Sequence, residues 1–573
     1  MNFKKKLLEF INQEIPVTEE LISIPPNSKM GDFAIPCFKF AKEKNVNPAE
    51  YSKQLESLFS ERISSTDFLE KVQSFGPYLN FFLNKTKFIE AIVNTIKKEK
   101  ENYGNSTFGS EETVIIEYPA PNTNKPLHLG HLRNISMGSS MANIIQSQGY
   151  KTFRINLNND RGIHICKSML AYKKWGEGKT PESEKIKSDH FVGEYYVLFN
   201  QKFKENPELE KEAQEMLKLW EAEDPEVRAL WKKMNNWALG GFNETYETLE
   251  IPKFDKVYYE SQTFQEGKKT VLEGLEKGVF KKNKDGAVII DLTKEGFDEK
   301  VLLRADGTTV YMTQDIHLAK LKHDDFSYTK SVYVVGSEQQ YHFNVLFKIL
   351  EKLGYDFAKG CYHFSYGLVN LPDGRMKSRE GTVVDTDDLI KELKEISKKE
   401  IEKRYDHLSE EEITHRAKVI ALGAVKFYLV ANDPIKDITF NPEESISFEG
   451  DTGPYIQYTY ARASSIMRKA KENNLEEGKD FSVLVHEKEI ELVKLLGELP
   501  DKSLNACKNY KPHLIAQYLL ALCRSFNEFY HACGCINEDD KIVASSRLTL
   551  INGTRQVIKN GLKLLGVETL EQM

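Results

Sequence analysis

The spacing of apolar positions divides the chain into stretches of different character. Near the N-terminus, LLEFINQEI and CFKFAKEK carry apolar residues at helical spacing, whereas FGPYLNFFLNKTKF alternates as a strand does. The polar, Gly/Ser/Asn-rich ENYGNSTFGS at 101–110 reads as a linker. TVIIEY at 113–118 is a short β-branched run ended by Pro119 and Pro121, the pattern of a buried strand. LRNISMGSSMANIIQSQGY returns to helical spacing and stops at Gly149, and KTFRINLN at 151–158 is strand-like again. Strand, loop, helix and strand within about 45 residues make a βαβ unit, from which doubly wound parallel sheets are built.

Residues 160–250 are mostly charged with a helical pattern. GAVIIDL (286–292), KSVYVVG (330–336) and YHFSYGLVN (362–370) are expected to supply later strands, with KSVYVVG a central one. From about 385 onward the pattern is helical throughout. The coarse picture is an α/β domain followed by a helical one.

Composition narrows the class. At 573 residues the chain is too long for one core, so about three domains are expected. With 40% hydrophobic and 29% charged residues it reads as an ordinary soluble protein. No apolar run approaches a membrane span, and the N-terminus lacks a signal peptide's apolar stretch. A cytoplasmic protein is expected. Seven cysteines, none in a C-x-x-C pair, read as reduced buried thiols, and no structural metal site is expected. The net charge of −7 argues against wholesale nucleic-acid binding but leaves room for a local basic face.

Candidate chemistry sits in a few places. GEGKT at 176–180 resembles the end of a phosphate-binding loop, but the full pattern needs a glycine where Lys173 stands and a preceding strand where AYKKW looks helical. A solvated turn is the better reading. HLGH at 128–131 has the fitting context: it leaves the strand TVIIEY through a proline loop and opens a helix, whose N-terminal amides favour anions. Two imidazoles three apart face one side, and Gly130 removes a side chain where a base or ribose could press close. Two partly buried histidines capping a helix are the plainer reading of the same residues. DGRMKSREGTVV at 373–384 is a second loop, rich in glycine, cations and hydroxyls, with Arg375, Lys377, Ser378 and Arg379 suited to triphosphate oxygens.

Together these two loops resemble the paired HIGH and KMSKS motifs of class I aminoacyl-tRNA synthetases. HLGH matches the first at three of four positions. GRMKS (374–378) matches the second through Met376, Lys377 and Ser378, with Gly374 where the pattern has its first lysine and Arg375 beside it. The flanks point further. EYPAPNTNKPLHLGHLRN, FDKVYYESQ (254–262), DGTTVYMTQDI (306–316), VVGSEQQYHF (334–343) and GDTGPYIQYTYAR (450–462) resemble, in order, the motifs of arginyl-tRNA synthetases. KMGDFAIP (29–36) and FGPYLNFFL (75–83) resemble that family's extra N-terminal domain.

The resemblance spans the chain and carries definite expectations. The fold should be a Rossmann-like class I catalytic domain at 106–445, preceded by an α+β tRNA-contacting domain at 1–105. An all-α anticodon-binding domain should follow at 446–573. ATP, accompanied by Mg²⁺, should lie on His128, Gly130, His131, Met376, Lys377 and Ser378, with Lys125 a further cation that is either auxiliary or paired with Glu117. Arginine should meet Glu117, Asn122, Glu260, Tyr311, Asp315 and Gln339, the carboxylates matching its planar guanidinium. Arginine's tRNA should meet Tyr455, Gln457, Tyr458, Arg462, Arg524 and Tyr530, through aromatic and cationic contacts to unpaired bases. Aromatic stripes at helical spacing are also simply core. The resemblance further implies activation of arginine only with tRNA bound, and a monomer is expected. A nucleotidyltransferase with a similar histidine loop would be shorter and lack the helical C-terminal third. An inactive RNA-binding relative is disfavoured by the intact His128, His131, Glu260, Asp315 and Lys377.

Overall fold

The computed structural model describes residues 3–372, 384–536 and 538–573. An N-terminal antiparallel sheet is formed by β1 (Phe33–Pro36), β2 (Leu69–Phe75) and β3 (Tyr78–Leu83), in the order β1-β3-β2. The helices Phe3–Ile11 and Pro48–Arg62 bury Leu7, Phe10, Leu55 and Phe59 with Leu79 and Phe81 of β3. FGPYLNFFLNKTKF is thus half strand. Asn84 ends it by accepting from the Lys87 amide, which caps the helix Lys85–Glu99.

That helix turns away from the N-terminal sheet. Its Ile92, Val93 and Ile96 share a core with the C-terminal helices Glu487–Asn509 and Lys541–Leu564. The stretch 101–110 is likewise pinned: Tyr103 donates to the Leu496 carbonyl at 2.9 Å, and Asn560 donates to the carbonyl of Tyr103 at 2.9 Å.

The central sheet contains β4 (Thr113–Glu117), β5 (Lys151–Asn158) and β6 (Lys256–Tyr259). After β6 the chain makes a small antiparallel sheet, β7 (Lys281–Lys282), β8 (Val288–Ile290) and β9 (Lys300–Leu303). It then returns with β10 (Lys330–Gly336) and β11 (Cys361–Tyr366). The central order is β11-β10-β4-β5-β6, and every pair is parallel. GAVIIDL therefore belongs to the small sheet and not to the central one. A short buried β-branched run does not encode which sheet it joins. β8 is buried because Leu346 and Ile349 of one helix and Met312 and Ile316 of another pack in its cluster. KSVYVVG does lie inside the central sheet. The strand order reverses between β4 and β10, which opens a crevice at their carboxyl ends where ligands bind in such sheets.

The helix Leu129–Ser147 crosses from β4 to β5 and is fastened by its own second turn. Arg133 is wholly buried and donates to four carbonyls: Gly367 and Leu368 at 2.6 Å each, Pro434 at 3.1 Å and Lys436 at 2.7 Å. Burial draws its pKa down to about 10. Next to it, Asn134 donates to the Val334 carbonyl of β10 at 2.6 Å. This one turn joins both halves of the sheet to the segment that follows β11. The 176–180 stretch is a turn after the helix Ile163–Trp175, with Gly178 at φ +75°, and no strand precedes it. No helix among the described residues is long and apolar enough to cross a membrane.

Replacing Arg133 with methionine should strand those four carbonyls without partners. A loss on the order of 3 kcal/mol is expected, read as a lower melting temperature of the whole chain. An unchanged melting curve would show that the carbonyls are satisfied in another way.

Candidate active site

The first motif is built as a helix cap. His128 is extended (φ −126°, ψ 173°) and precedes the first helical turn. Its Nδ1 accepts from the Gly130 amide at 3.1 Å, and the Nδ1 of His131 accepts from the His128 amide at 3.1 Å. Two of the helix's orphan N–H groups are thereby satisfied. The cap also fixes the tautomer. An Nδ1 that accepts carries no proton, so each neutral ring carries its proton on Nε2, which remains available as an outward donor. Burial, with Lys125 adding to it, lowers the pKa of His128 to about 4. Burial, then His128 and Lys125, holds His131 well below its usual value. The ring centroids are 3.9 Å apart. The plain capping reading and the donor reading therefore describe the same atoms.

Gly130 has a nearer reason than space for a ligand. A Cβ there would lie 2.9 Å from Cε1 and 3.0 Å from Nδ1 of His128, inside the cap itself. Lys125 is half-buried, its pKa lowered by burial. The alternative pairing of Lys125 with Glu117 is corrected by the structure: buried Glu117 forms its ion pair with the fully buried Lys322.

Met376, Lys377 and Ser378, with Arg375, lie outside the described residues. The residues just after them are described, and they pair with the first motif. Leu129 donates to the Val384 carbonyl at 3.0 Å, and Thr386 donates to the Leu127 carbonyl at 2.9 Å. These bonds bracket His128 opposite Asp385.

Beside the motif, at the carboxyl ends of β4 and β5, is a cavity of about 260 Å³. Asn122, Arg161, His164, Glu260, Tyr311 and Asp315 are among the residues that line it. Tyr311 and Asp315 come from the first turn of the helix Tyr311–Phe326, and Glu260 opens the helix Glu260–Glu276. Asp315 accepts from His342 Nε2 at 2.6 Å. In the orientation that satisfies both its ends, the Gln314 amide donates to Glu260 at 2.7 Å and accepts from Arg161 at 2.8 Å. Burial pushes the Glu260 carboxyl up to about 7; Arg161 opposes the shift, and Asp160 and Asp315 add to it. The cavity thus sets the Glu260 and Asp315 carboxylates in one lining with Arg161 and His164, and its carboxylates suit a planar positive group.

Two expected residues stand apart from this lining. Glu117 is held by Lys322, and Gln339 is exposed in the short turn Ser337–Gln339 at the end of β10. Conversely, Arg161 and His164 line the cavity without having been singled out. The signal was present: NDRGIH follows directly on the strand KTFRINLN, at the strand end where ligands gather.

On the helical C-terminal part, Tyr455, Arg462 and Tyr530 come together around Asn527. Asn527 donates to the Tyr455 hydroxyl at 2.9 Å and accepts from Arg462 at 3.1 Å. The Arg462 guanidinium lies 5.1 Å from the centre of the Tyr530 ring. Exposed Arg524 pairs with Asp451, and half-buried Tyr458 lies edge-on to Phe448. Gln457 requires correction. It is fully buried and donates to the carbonyls of Val419 at 3.2 Å and Glu568 at 2.8 Å, so its side chain holds helices together and reaches no solvent.

A parallel sheet reversing between β4 and β10, with paired histidines capping the helix after β4, defines a class I aminoacyl-tRNA synthetase. Comparison with known proteins gives the particular kind. Residues 92–442 match the family model for tRNA synthetases class I (R), catalytic domain. Residues 456–573 match the DALR anticodon binding domain, and residues 1–83 the arginyl tRNA synthetase N terminal domain. An arginine–tRNA ligase of Treponema denticola is 46% identical over 562 residues, covering 96% of this chain and 94% of the relative. One from Parabacteroides distasonis is 50% identical, covering 80% of each. The Thermus thermophilus arginyl-tRNA synthetase structure superposes with a TM-score of 0.82 at 27% identity over the full length of both chains. The chain belongs to the arginyl-tRNA synthetase family, whose members charge tRNA with arginine.

A guanidinium in the cavity would select the ionised form of Glu260. Affinity for free arginine should be full well above pH 7 and fall as pH drops through about 7, where the unoccupied carboxyl takes up a proton. Between pH 8 and pH 6 the loss should be roughly tenfold. Calorimetric titration at the two pH values measures it, and a flat affinity would remove Glu260 from contact with the ligand.

Proposed function

We propose that this chain joins arginine to ATP and then to tRNA through the residues around the crevice between β4 and β10. The observation that supports this reading is the cavity lined by Asn122, Glu260 and Asp315, with the capping histidines His128 and His131 following Asn122 on the same loop after β4. Arginine's guanidinium lies between the Glu260 and Asp315 carboxylates, with Tyr311 against it. Asn122 and Gln339 take its α-amino and carboxylate groups. Glu117 acts behind this set through Lys322.

In the first step an oxygen of arginine's carboxylate attacks the α-phosphorus of ATP. The α–β phosphoanhydride breaks, giving arginyl-adenylate and pyrophosphate. Charge grows on the α-phosphate oxygens and on the leaving group, and donors fixed in advance lower that barrier most. The two imidazoles meet this need because they are neutral and pre-aimed: no proton must move, and the caps hold their tautomers. Lys125 adds positive charge, and Met376, Lys377 and Ser378 bind the nucleotide. ATP enters as its Mg²⁺ complex, with the ion held by phosphate oxygens and water. In the second step the 2′-hydroxyl of the tRNA's terminal adenosine attacks the arginyl carbonyl, and AMP leaves.

Activation requires bound tRNA. Tyr455, Tyr458, Arg462, Arg524 and Tyr530 contact it on the helical part, and residues 1–105 meet it elsewhere. The division at 105 and 445, a monomeric state and a cytoplasmic location complete the reading.

The test is isotopic ATP–pyrophosphate exchange with each amino acid, with and without tRNA. Exchange should appear with arginine alone among the amino acids and only when tRNA is present; robust exchange without tRNA would sink the tRNA requirement. In the same assay Asp315→Ala should abolish arginine activation while ATP binding, followed by equilibrium dialysis, survives. Near wild-type activation by this variant would show that Asp315 does not hold the substrate.

A further inference from the structure

Behind the first motif, away from the arginine cavity, lies a charged cluster that the proposed chemistry does not use. Its centre is His190, in the helix Ser188–Glu205. Its Nε2 is 3.3 Å from Asp385 Oδ2 and 3.2 Å from Asp387 Oδ2. Lys187 reaches the same place, 2.7 Å from Asp387 Oδ2 and 3.2 Å from Asp189 Oδ1. Thr245, from the helix Pro225–Thr248, receives a hydrogen bond from Lys187 at 2.6 Å and donates to Asp387. Asp189 is fully buried against Gly241, where an added Cβ would come 2.2 Å from its Oδ1. Asp189, His190 and Asp387 have the spacing of a metal site, but the Lys187 ammonium already takes the cation's position between two of the carboxylates.

The cluster has one mechanical outlet. Asp385 Oδ1 accepts from the amides of Asp387 at 2.8 Å and Asp388 at 3.1 Å, and so caps the helix Thr386–Glu402. Its other oxygen faces His190. Its backbone lies opposite His128, between the two bonds from Val384 and Thr386 to the residues flanking that histidine. A shift of Asp385 must therefore shift the N-cap that aims the His128 and His131 donors.

We propose that His190 is a positioning residue for adenylate formation: as an imidazolium bridging Asp385 and Asp387, it holds segment 384–386 against Leu127–Leu129 and so fixes the aim of His128 and His131. This rests on the function proposed above. The charge balance supports the bridge. Asp189, Asp385 and Asp387 bring three negative charges against Lys187, with Asp388 on the same helix turn and Lys394 further along. A neutral His190 would leave three carboxylates to one lysine, with no cation against Asp385. Burial works against its charged form, but the hydrogen bond it donates to Asp387 and the charges of Asp385 and Asp189 outweigh that and raise its pKa. The bridge is thus complete below the raised pKa and lost as pH rises through it.

The experiment is arginine- and tRNA-dependent pyrophosphate exchange from pH 6 to 9 with wild type, His190→Gln and His190→Lys. Wild type should lose kcat toward high pH. His190→Gln should be about tenfold slower at pH 6.5 and lack that basic limb, with the KM for arginine unchanged. His190→Lys, which stays charged, should keep its rate at pH 9. Should His190→Gln fail to fold, Asp387→Asn weakens the same bridge and should flatten the same limb. A glutamine variant with the wild-type pH profile, or a loss that falls on arginine KM, overturns the inference. A wild type inactive with arginine would instead overturn the proposed function.

Discussion

The N-terminus of one helix sets the terms for the site. A helix begins with backbone N–H groups that lack internal partners, and leaving them unpaired in a buried place is costly. Here the partners are the Nδ1 atoms of His128 and His131. The same bonds that close the helix decide which nitrogen of each ring keeps a proton. Stability and chemistry are thus met by one set of contacts, and the cost of orienting the donors is met on folding, before any substrate arrives. Gly130 belongs to this arrangement, because a Cβ would strike the His128 ring.

The cap is useful only if the helix stays where it is, and Arg133 answers for that. A guanidinium with four carbonyl partners and no carboxylate among them is a dipole-solvated charge. Its donors are directional, so the carbonyls of 367–368 and 434–436 are held in register with the helix. A lysine at that position would offer a point charge and fewer fixed directions. Segment 384–386 then grips the other side of the cap. The helix start is held from two directions by backbone that belongs to distant parts of the chain.

Much of this was legible in the sequence, for identifiable reasons. β4 and β10 are legible because each is a β-branched run between breakers, and β5 because it follows the helix-ending Gly149. Motif context names Asn122, Glu260, Tyr311 and Asp315 as candidates, and the fold places them around one cavity. What sequence could not carry was competition between partners. Nothing in the spacing tells that Lys322, more than 200 residues away, takes Glu117 and leaves Lys125 without it. Nothing in a helical stripe separates half-buried Tyr455 from fully buried Gln457, two residues on. GAVIIDL does form a strand, but its sheet was not legible: burial of a strand is local information, and sheet membership is not.

The catalytic and helical C-terminal parts are also less separate than their sequences imply. Met137 and Met141, on the helix that His128 caps, share one hydrophobic cluster with Leu519, Ile558 and Leu562. Two polar contacts make the join specific. Ser140 donates to the Leu564 carbonyl at 3.3 Å, and Asn143 donates to the Lys563 carbonyl at 3.2 Å. These are carbonyls at the end of the helix Lys541–Leu564, where the Lys563 carbonyl also accepts from the Gly566 amide at 3.0 Å. Lys426 adds a bond to the Gly566 carbonyl at 3.0 Å. One helix therefore carries the capping histidines at its start and meets the end of a C-terminal helix along its flank. Packed cores transmit displacement because they compress little. A load on the C-terminal helices bears directly on the helix that His128 and His131 cap.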